Sequence, residues 1–363
     1  MFTIQPPFIR GYFAAKPKSN QSTSYRRMCL SWEDGLWHLL KVYKVKAGAT
    51  VLLPEFYCGD VANHMAEHGL KVTYYQVDRF LVTSTKEFVR SINRYKPEIV
   101  VIFHAVGITN TLMSEAAKWQ SALSPTCLII EDCVHRIIEE EKISFLSERH
   151  FLIDSLRKVV PIQGSNLYSA MPLPAISWSQ TIISHPYRMG VHYYWIAMQI
   201  WLIIAHFTQT KNIAMRANAK AEQAMIKGYL LIGKSRLASP GLKIMDYVYR
   251  RINTREIEVA KDRQARMYAT ALQPLLKNHE YWLPKMEKPD YKYLRGFPLI
   301  MNVEVADKLL TNLRNAGFLV RFELNDGPWS QKQKIIYLPM GLHVSTSDIQ
   351  NISALVYANM HIL

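Results

Sequence analysis

The stretch Cys127-Leu-Ile-Ile-Glu-Asp-Cys-Val-His135 decides the fold. Its apolar run has the length and composition of a strand buried on both faces, which is typical of parallel sheets. The strand ends at the carboxylate of Asp132, and the imidazole of His135 follows three residues later. Twenty residues further on, Phe151-Leu-Ile-Asp-Ser-Leu-Arg-Lys158 begins apolar, turns polar and ends in a lysine just before Val-Val-Pro.

These side chains are the parts that a pyridoxal 5'-phosphate (PLP) enzyme needs. A lysine can form a Schiff base with the aldehyde of PLP. A strand-end carboxylate can keep the pyridine nitrogen protonated, so that the ring accepts electrons. We therefore predict a catalytic role for Lys158 and a cofactor-binding role for Asp132. The plainer alternatives are a surface lysine and a loop aspartate.

Strands and helices alternate through the first part of the chain. We predict strands over 50–54, 71–77, 98–103 and 126–130, and helices over 31–48, 60–68, 86–95 and 114–123. Alternation with continuous apolar strands indicates an α/β fold, with a large, mostly parallel sheet covered by helices. Polar residues such as His104 follow the strand ends, where ligands bind in open α/β sheets.

The pattern changes after about residue 270. We predict strands over 296–302, 318–322 and 335–338, and helices over 305–316 and 345–359. This order indicates a small C-terminal α+β domain with an antiparallel sheet. We expect an N-terminal extension over 1–30, a large domain over 31–250 and the small domain over 251–363.

Charge and cysteine content narrow the class of protein. The net charge is +15, which suits nucleic acid, anionic lipid or phosphate-bearing substrates as partners. We do not expect nucleic acid, because no helix-turn-helix, zinc finger or RNA-binding motif is visible. The four cysteines lack paired metal spacing, so reduced core thiols and no metal are expected. The N-terminal sequence has no apolar signal region, which predicts a cytoplasmic protein.

Residues 191–207 form an apolar segment of a different kind. The segment is slightly short for a spanning helix, which needs roughly 20 apolar residues, and it contains two histidines and a glutamine. It could be a buried or dimer-interface helix, a membrane-surface helix or a span. Residues 208–267 carry 13 Lys and Arg against 5 Asp and Glu. This basic stretch favours the surface reading, although a solvated helical face is the plainer alternative.

The chain resembles the DegT-type (DegT/DnrJ/EryC/StrS) sugar aminotransferases, which are fold type I PLP enzymes. The resemblance covers residues 30 to 360 in order. Each motif alone is weak, but the series is fairly specific. The motifs are Gly48-Ala-Thr-Val-Leu-Leu-Pro-Glu-Phe-Tyr-Cys58, Phe103-His-Ala-Val-Gly107, Ile130-Glu-Asp-Cys-Val-His135, Asp154-Ser-Leu-Arg-Lys158 and Ile336-Tyr-Leu-Pro-Met340.

The resemblance implies a role for each matching position. Lys158 matches the Schiff-base lysine and Asp132 the partner of the pyridinium nitrogen. The other implied cofactor contacts are His135 near the phenolic oxygen, His104 as a pocket-shaping residue, Ser155 with Arg157 at the phosphate, and Phe56, Tyr57 or Cys58 against the ring.

One site departs from the family pattern. The family holds the phosphate at a small-residue turn that opens the first helix, where backbone amides favour an anion. This chain has Ser31-Trp-Glu-Asp-Gly35 there. Either Ser31 and the amides still bind phosphate with both acids turned outward, or phosphate binding is weakened.

The resemblance implies an aminotransferase that moves an amino group from an amino acid, glutamate by family habit, to a keto-sugar nucleotide. The pathway would be surface-polysaccharide or amino-sugar biosynthesis, and the protein a homodimer. One alternative is a non-catalytic or regulatory protein on the same fold. Another is an enzyme peripheral to the inner membrane face that acts on a lipid-linked precursor.

Overall fold

The computed structural model of the 363-residue chain describes most of its length. The described residues are 6–14, 24–176, 185–208, 210–235, 237–277, 291–318, 320, 324 and 326–360.

A large sheet forms the centre of the molecule. Its strands lie in the order β1-β7-β6-β5-β4-β2-β3. The run from β6 to β3 is parallel, and β7 and β1 join it antiparallel at one edge. The strands are β1 Tyr25–Cys29, β2 Thr50–Pro54, β3 Lys71–Tyr75, β4 Ile99–Phe103, β5 Leu128–Cys133, β6 His150–Asp154 and β7 Ser165–Ser169.

Helices cover both faces of this sheet, and a second set follows it in the chain. The first set is α1 Trp32–Val42, α2 Gly59–Glu67, α3 Thr85–Tyr95, α4 Thr111–Ser114 and α5 Ala116–Trp119. The second set is α6 His185–Phe207, α7 Lys211–Tyr229, α8 Lys243–Tyr249, α9 Thr254–Ala271 and α10 Gln273–Lys277.

The C-terminal part is a small α+β unit, as predicted. Strands β8 (Phe297–Asn302) and β9 (Gln333–Leu338) pair antiparallel, and helices α11 (Val303–Asn315) and α12 (Thr346–Met360) pack with them and with α9. Most of the third predicted strand, over 318–322, lies outside the described residues.

The central strands are buried along their whole length, which explains their continuous apolar sequences. Every residue of β4, β5 and β6 is buried. Helix α1 lies close against one face, because Gly35 has no side chain: a Cβ there would stand 3.3 Å from the Ile153 side chain. This close contact fixes the start of α1 relative to the carboxyl end of β6.

Sequence and structure agree on the fold class and differ in detail. The four predicted parallel strands and most helices are present, and the first helix ends at Val42 rather than at 48. The helix predicted over 114–123 is broken into short turns. Strands β1 and β7 were not predicted, because both carry polar residues in place of an apolar run and pair with each other at the sheet edge.

The apolar segment 191–207 belongs to a longer helix. It forms the greater part of α6, which packs lengthwise against α7. Among the described residues, no helix is both long and apolar enough to cross a bilayer. The predicted division into extension, large domain and small domain remains a prediction, although β1 already ties residues 25–29 to the large sheet.

Candidate active site

A cavity of about 190 Å³ opens at the carboxyl ends of β2, β4, β5 and β6. Parallel strands place the side chains that follow them at this edge, so residues distant in sequence meet here. The predicted site residues Tyr57, Asp132, Ser155 and Lys158 all line the cavity. Other lining residues are Trp32, Glu33, Cys58, Asp60, Val61, His64, Phe103, Val134, Arg157, Tyr229, Ile232, Arg295, Leu324, Asp326 and Tyr337.

Asp132 is the buried carboxylate of the cavity. It lies beside Phe103 of β4 in the sheet register. Its Oδ1 accepts a hydrogen bond from the Val134 amide at 3.0 Å, and its Oδ2 accepts one from the Tyr57 hydroxyl at 2.8 Å. Burial raises the pKa of Asp132 to about 7, although the Tyr57 hydrogen bond opposes the shift. A cationic N–H group in the cavity would therefore gain a poorly solvated carboxylate as its partner.

Lys158 reaches the cavity from a short 3-10 turn, Leu156–Lys158, after β6. The turn is held on both sides: the Leu156 amide donates to the Gly164 carbonyl at 3.0 Å, and the Asn166 amide donates to Asp154 Oδ1 at 2.6 Å. Gly164 has φ +148° and lies against the Cys29 carbonyl, so a side chain there would be strained. Lys158 therefore stands on a fixed support next to Asp132.

Tyr57 lines the cavity and also contacts Asp132. Its hydroxyl donates to Asp132, and its ring stands edge-on to Phe103 with centroids 5.6 Å apart. Tyr57 thus orients the carboxylate. Cys58, the next residue, also lines the cavity, and burial raises the pKa of its thiol to about 12.

The turn that opens α1 places its two acids on opposite sides. Ser31 caps the helix, since its Oγ accepts from the Asp34 amide at 3.2 Å, and it donates to Asp34 Oδ2 at 2.6 Å. Asp34 turns away from the cavity and accepts from the Ser239 amide at 2.7 Å. Neither Ser31 nor Asp34 lines the cavity.

Glu33 lines the cavity, so the first of the two alternatives, with both acids turned outward, does not hold for this residue. Its carboxylate is only 5% exposed and lies 3.8 Å from His64 Nδ1. Burial opposes its ionisation, but the nearby His64 imidazole, the positive charge of Arg157 and its own backbone amide together lower its pKa. An internal anion thus occupies the helix N-terminus where a ligand phosphate was expected.

Ser155 and Arg157 provide unused donors on the same wall. The Ser155 Oγ and the Arg157 Nε and Nη1 atoms are buried without a hydrogen-bond partner among the described residues. The Arg157 guanidinium lies over the Tyr229 ring, 4.7 Å from its centroid. Buried donors without partners are rare in proteins, and these would suit the oxygens of a phosphate. The cavity therefore fits PLP at Lys158, Asp132 and Ser155, with Glu33 as the opposing charge.

His135 lies behind the cavity wall. It is fully buried, its Nδ1 accepts from the Val106 amide at 3.2 Å, and Arg295 Nη1 lies 3.4 Å from its Nε2. Arg295 itself lines the cavity. His135 contacts Arg295, Phe103 and Tyr337, which line the cavity. Its predicted contact with the cofactor stays a prediction.

His104 belongs to a separate cluster around Glu131. Neighbouring residues of a strand point to opposite faces, so Glu131 lies on the other side of the sheet from Asp132. His104 Nε2 lies 2.6 Å and His150 Nε2 lies 2.8 Å from the Glu131 carboxylate. Burial opposes the ionisation of Glu131, but the two histidines lower its pKa to about 2. His104 therefore stabilises the strand end rather than lining the cavity.

The same cluster includes Cys133, so its ligand types could suit a metal. The Nδ1 atom of His104 accepts from the Asn110 amide, and that of His150 accepts from the Leu146 amide. Each neutral imidazole must then carry its proton on Nε2, the atom directed at Glu131. The cluster is accordingly a carboxylate that accepts a hydrogen bond from His104 and lies against the Nε2 atom of His150.

Sequence reasoning missed several lining residues. His64 lies on α2, and Tyr229 and Ile232 come from the end of the α6–α7 pair. Arg295 precedes β8 of the small unit. None stands in a motif. The one available signal was Glu33, an acid at a position expected to bind an anion.

Several solved structures with the same fold are aminotransferases. A putative sugar aminotransferase from Streptococcus pneumoniae in its PMP-form aligns over 100% of both chains, with a TM-score of 0.59 and 11% identity. An aminotransferase from Streptoalloteichus hindustanus aligns over 100% of this chain and 99% of its own, with a TM-score of 0.59 and 13% identity. A DegT DnrJ EryC1 StrS aminotransferase from Brucella abortus covers 92% and 85%, with a TM-score of 0.54 and 15% identity.

These similarities confirm the fold type I architecture that the sequence motifs predicted. No protein-family model matches the chain, and no curated protein sequence matches it significantly. At such low identity the likeness establishes the fold, and the chemistry has to be argued from the cavity.

Proposed function

We propose that the protein is a PLP-dependent aminotransferase that moves an amino group from an amino acid, preferentially glutamate, to a keto-sugar nucleotide. The observation that carries this proposal is the presence of Lys158 and Asp132 in one buried cavity at the carboxyl edge of the sheet. The solved structures of this fold support it, because one is a putative sugar aminotransferase and another is a DegT DnrJ EryC1 StrS aminotransferase.

PLP supplies an aldehyde that captures amines and a ring that accepts electrons. The Lys158 Nζ would hold the aldehyde carbon and, once displaced by the substrate amine, move a proton as general base. The Asp132 carboxylate, oriented by Tyr57 and the Val134 amide, would bind the ring nitrogen. Its burial strengthens that ion pair, since the surroundings are poorly polarisable.

Ser155 and Arg157 would bind the phosphate through the donors that lack partners. Arg295, which also lines the cavity, offers a second cation for a substrate carboxylate or diphosphate. We place the reaction in amino-sugar or surface-polysaccharide biosynthesis and expect a homodimer.

The direct test incubates purified protein with PLP, isotope-labelled glutamate and a panel of keto-sugar nucleotides, and follows label transfer by mass spectrometry. Labelled amino sugar from the wild type, and none from Lys158→Ala, supports the proposal. If the wild type binds PLP and converts none of the panel, the tested keto-sugar nucleotides are excluded as acceptors. A wild type that also fails to exchange label with glutamate contradicts aminotransfer.

A non-catalytic protein on the same fold is the second candidate. The Glu33 carboxylate favours it, because an ionised acid at the helix N-terminus opposes phosphate binding. This candidate predicts a folded protein whose absorption spectrum does not change when PLP is added. The two proposals are therefore separated by a single titration with cofactor.

A further inference from the structure

The outer face of α6 carries an apolar stripe. The exposed side chains recur at steps of three or four residues, and between 37% and 70% of each is exposed. They are Met189, Tyr193, Ile196, Ile200, Ile204 and Phe207. Such spacing places them on one side of the helix. The other side, with Trp195, Met198 and Leu202, packs into the protein. No described residue covers the stripe.

Helix α7 lies beside α6 and adds positive charge. Arg216, Lys220 and Lys227 are exposed on α7. Lys220 reaches across to α6, where its Nζ stands 4.3 Å from the centroid of the Trp201 ring. Exposed apolar residues, including Ile213 and Ile226, alternate with these cations. The outer surface of the two helices thus combines apolar and cationic side chains.

Negative charge is almost absent from this surface. Helix α6 contains no Asp or Glu in its 23 residues. The one acid of α7 is Glu222, which pairs with Arg314 at 3.4 Å. A flat apolar stripe bordered by cations is the pattern of helices that lie in a membrane interface. We propose that α6 and α7 form a docking surface for a bilayer with anionic headgroups, lying on it and not crossing it.

A second copy of the chain fits the surface less well. Two-fold pairing places the same patch on both sides, so Arg216, Lys220 and Lys227 would face cations of the same kind. Anionic headgroups instead attract juxtamembrane cations by about 1 kcal/mol each. Charge complementarity therefore selects the bilayer over self-association.

The docking surface also adjoins the cavity. Tyr229, the last residue of α7, lines the cavity and stacks on Arg157, and its neighbour Leu230 is 60% exposed. Docking through α6 and α7 would hold the cavity close to the headgroups. This position would suit a substrate attached to a lipid, although the docking proposal does not depend on the reaction catalysed.

The test is co-sedimentation of the full-length protein with phosphatidylcholine vesicles, with and without phosphatidylglycerol, at low and high salt. We expect binding only to the anionic vesicles, and release by salt. The triple variant Arg216→Gln, Lys220→Gln, Lys227→Gln should bind roughly a hundredfold more weakly. Ile200→Asn, which touches only the stripe, should bind about tenfold more weakly.

A matched control removes three exposed cations elsewhere, at Arg90, Lys118 and Lys308, by substitution with Gln. This control variant should bind the vesicles like the wild type. An equal loss of vesicle binding in both triple variants would mean that only net charge matters, and would overturn the proposal. So would a wild type that stays in the supernatant at low salt. If Ile200→Asn leaves vesicle binding unchanged and converts dimer to monomer by analytical ultracentrifugation, a second copy covers the stripe and the proposal is wrong. Circular dichroism confirms folding of each variant.

Discussion

The substitution Glu33→Gln should tighten the binding of PLP selectively. Glu33 lines the same cavity as Ser155 and Arg157, the donors assigned to the phosphate. Its lowered pKa keeps it ionised at neutral pH. Gln keeps the shape and a hydrogen-bonding carbonyl while removing the charge.

The size of the effect follows from Coulomb's law. Two unit charges about 6 Å apart repel by roughly 3 kcal/mol at an effective dielectric constant near 20. Partial compensation by Arg157 and His64 should reduce this to about 1–2 kcal/mol, which corresponds to a factor of roughly ten in affinity. Glu33 also raises the pKa of Asp132, but less than burial does, so a ligand without the phosphate should be affected far less.

The assay compares PLP with pyridoxal, which lacks the phosphate, by absorbance titration at neutral pH. Glu33→Gln should lower the Kd of PLP about tenfold and change that of pyridoxal far less. Glu67→Gln removes an exposed acid from α2 outside the cavity and should change neither. An unchanged or weaker PLP affinity in Glu33→Gln, or an equal change for both ligands, would refute the placement of the phosphate beside Glu33.

Three further predictions concern the carboxylates and the tight turns. Tyr57→Phe removes a 2.8 Å hydrogen bond to the charged form of Asp132, so the pKa of that carboxyl should rise by about one unit. Titration of the protein with cofactor at a series of pH values should show this rise. Tyr75→Phe, which loses a hydrogen bond to the Val101 carbonyl instead, should leave the pKa of Asp132 unchanged. Burial raises the pKa values of Asp34, Asp132 and Asp154 to about 7. At these three carboxyls the folded state binds more protons than the unfolded state between about pH 4 and 7, so their contribution to the stability of the cofactor-free protein should fall as pH rises through that window. Burial lowers the pKa values of His38 and His192 to about 4, and these histidines act in the opposite direction. Asp34→Asn should therefore make the slope of stability against pH more positive by up to about 1.4 kcal/mol per pH unit in urea unfolding, and an unchanged slope would contradict the assignment. Gly107→Ala should destabilise the protein by more than about 2 kcal/mol, because φ is +97° and a Cβ would meet the Tyr293 carbonyl; Gly48→Ala, with φ +85° and open space, should lose only about 1 kcal/mol.

Much of the fold could be predicted because its signals are local. The apolar runs of β2, β4 and β5 are buried on both faces, so their sequences state their position directly. Strands β1 and β7 carry no such run. Arg26 is half-buried and pairs with Glu140 and Asp246, and Asn166 is buried with hydrogen bonds to Asp154. Those partners are far apart in sequence, so periodicity could not reveal these strands.

The candidate site was predictable where it follows strand ends. Asp132, Ser155 and Lys158 reach one cavity because parallel strands bring their carboxyl ends together. The same reasoning gave a wrong position for His104, which also follows a strand end. A shift of one residue along a strand reverses the face of the sheet, and His104 lies with Glu131, on the face away from Asp132.

Ser31 and Glu33 show a second limit of sequence reasoning. A helix N-terminus attracts an anion, but the sequence does not say whether that anion belongs to a ligand or to the chain. Only the geometry shows that Asp34 turns to Ser239 and Glu33 to His64.

The most direct measurement is borohydride trapping followed by peptide mapping. Purified protein is mixed with PLP, reduced and digested, and the peptides are examined by mass spectrometry for a phosphopyridoxyl group. The account predicts one dominant modified peptide with the group on Lys158, and its loss after prior addition of glutamate. A group on any other lysine, or no modified peptide at saturating PLP, would contradict the assignment of Lys158 and the aminotransferase proposal with it.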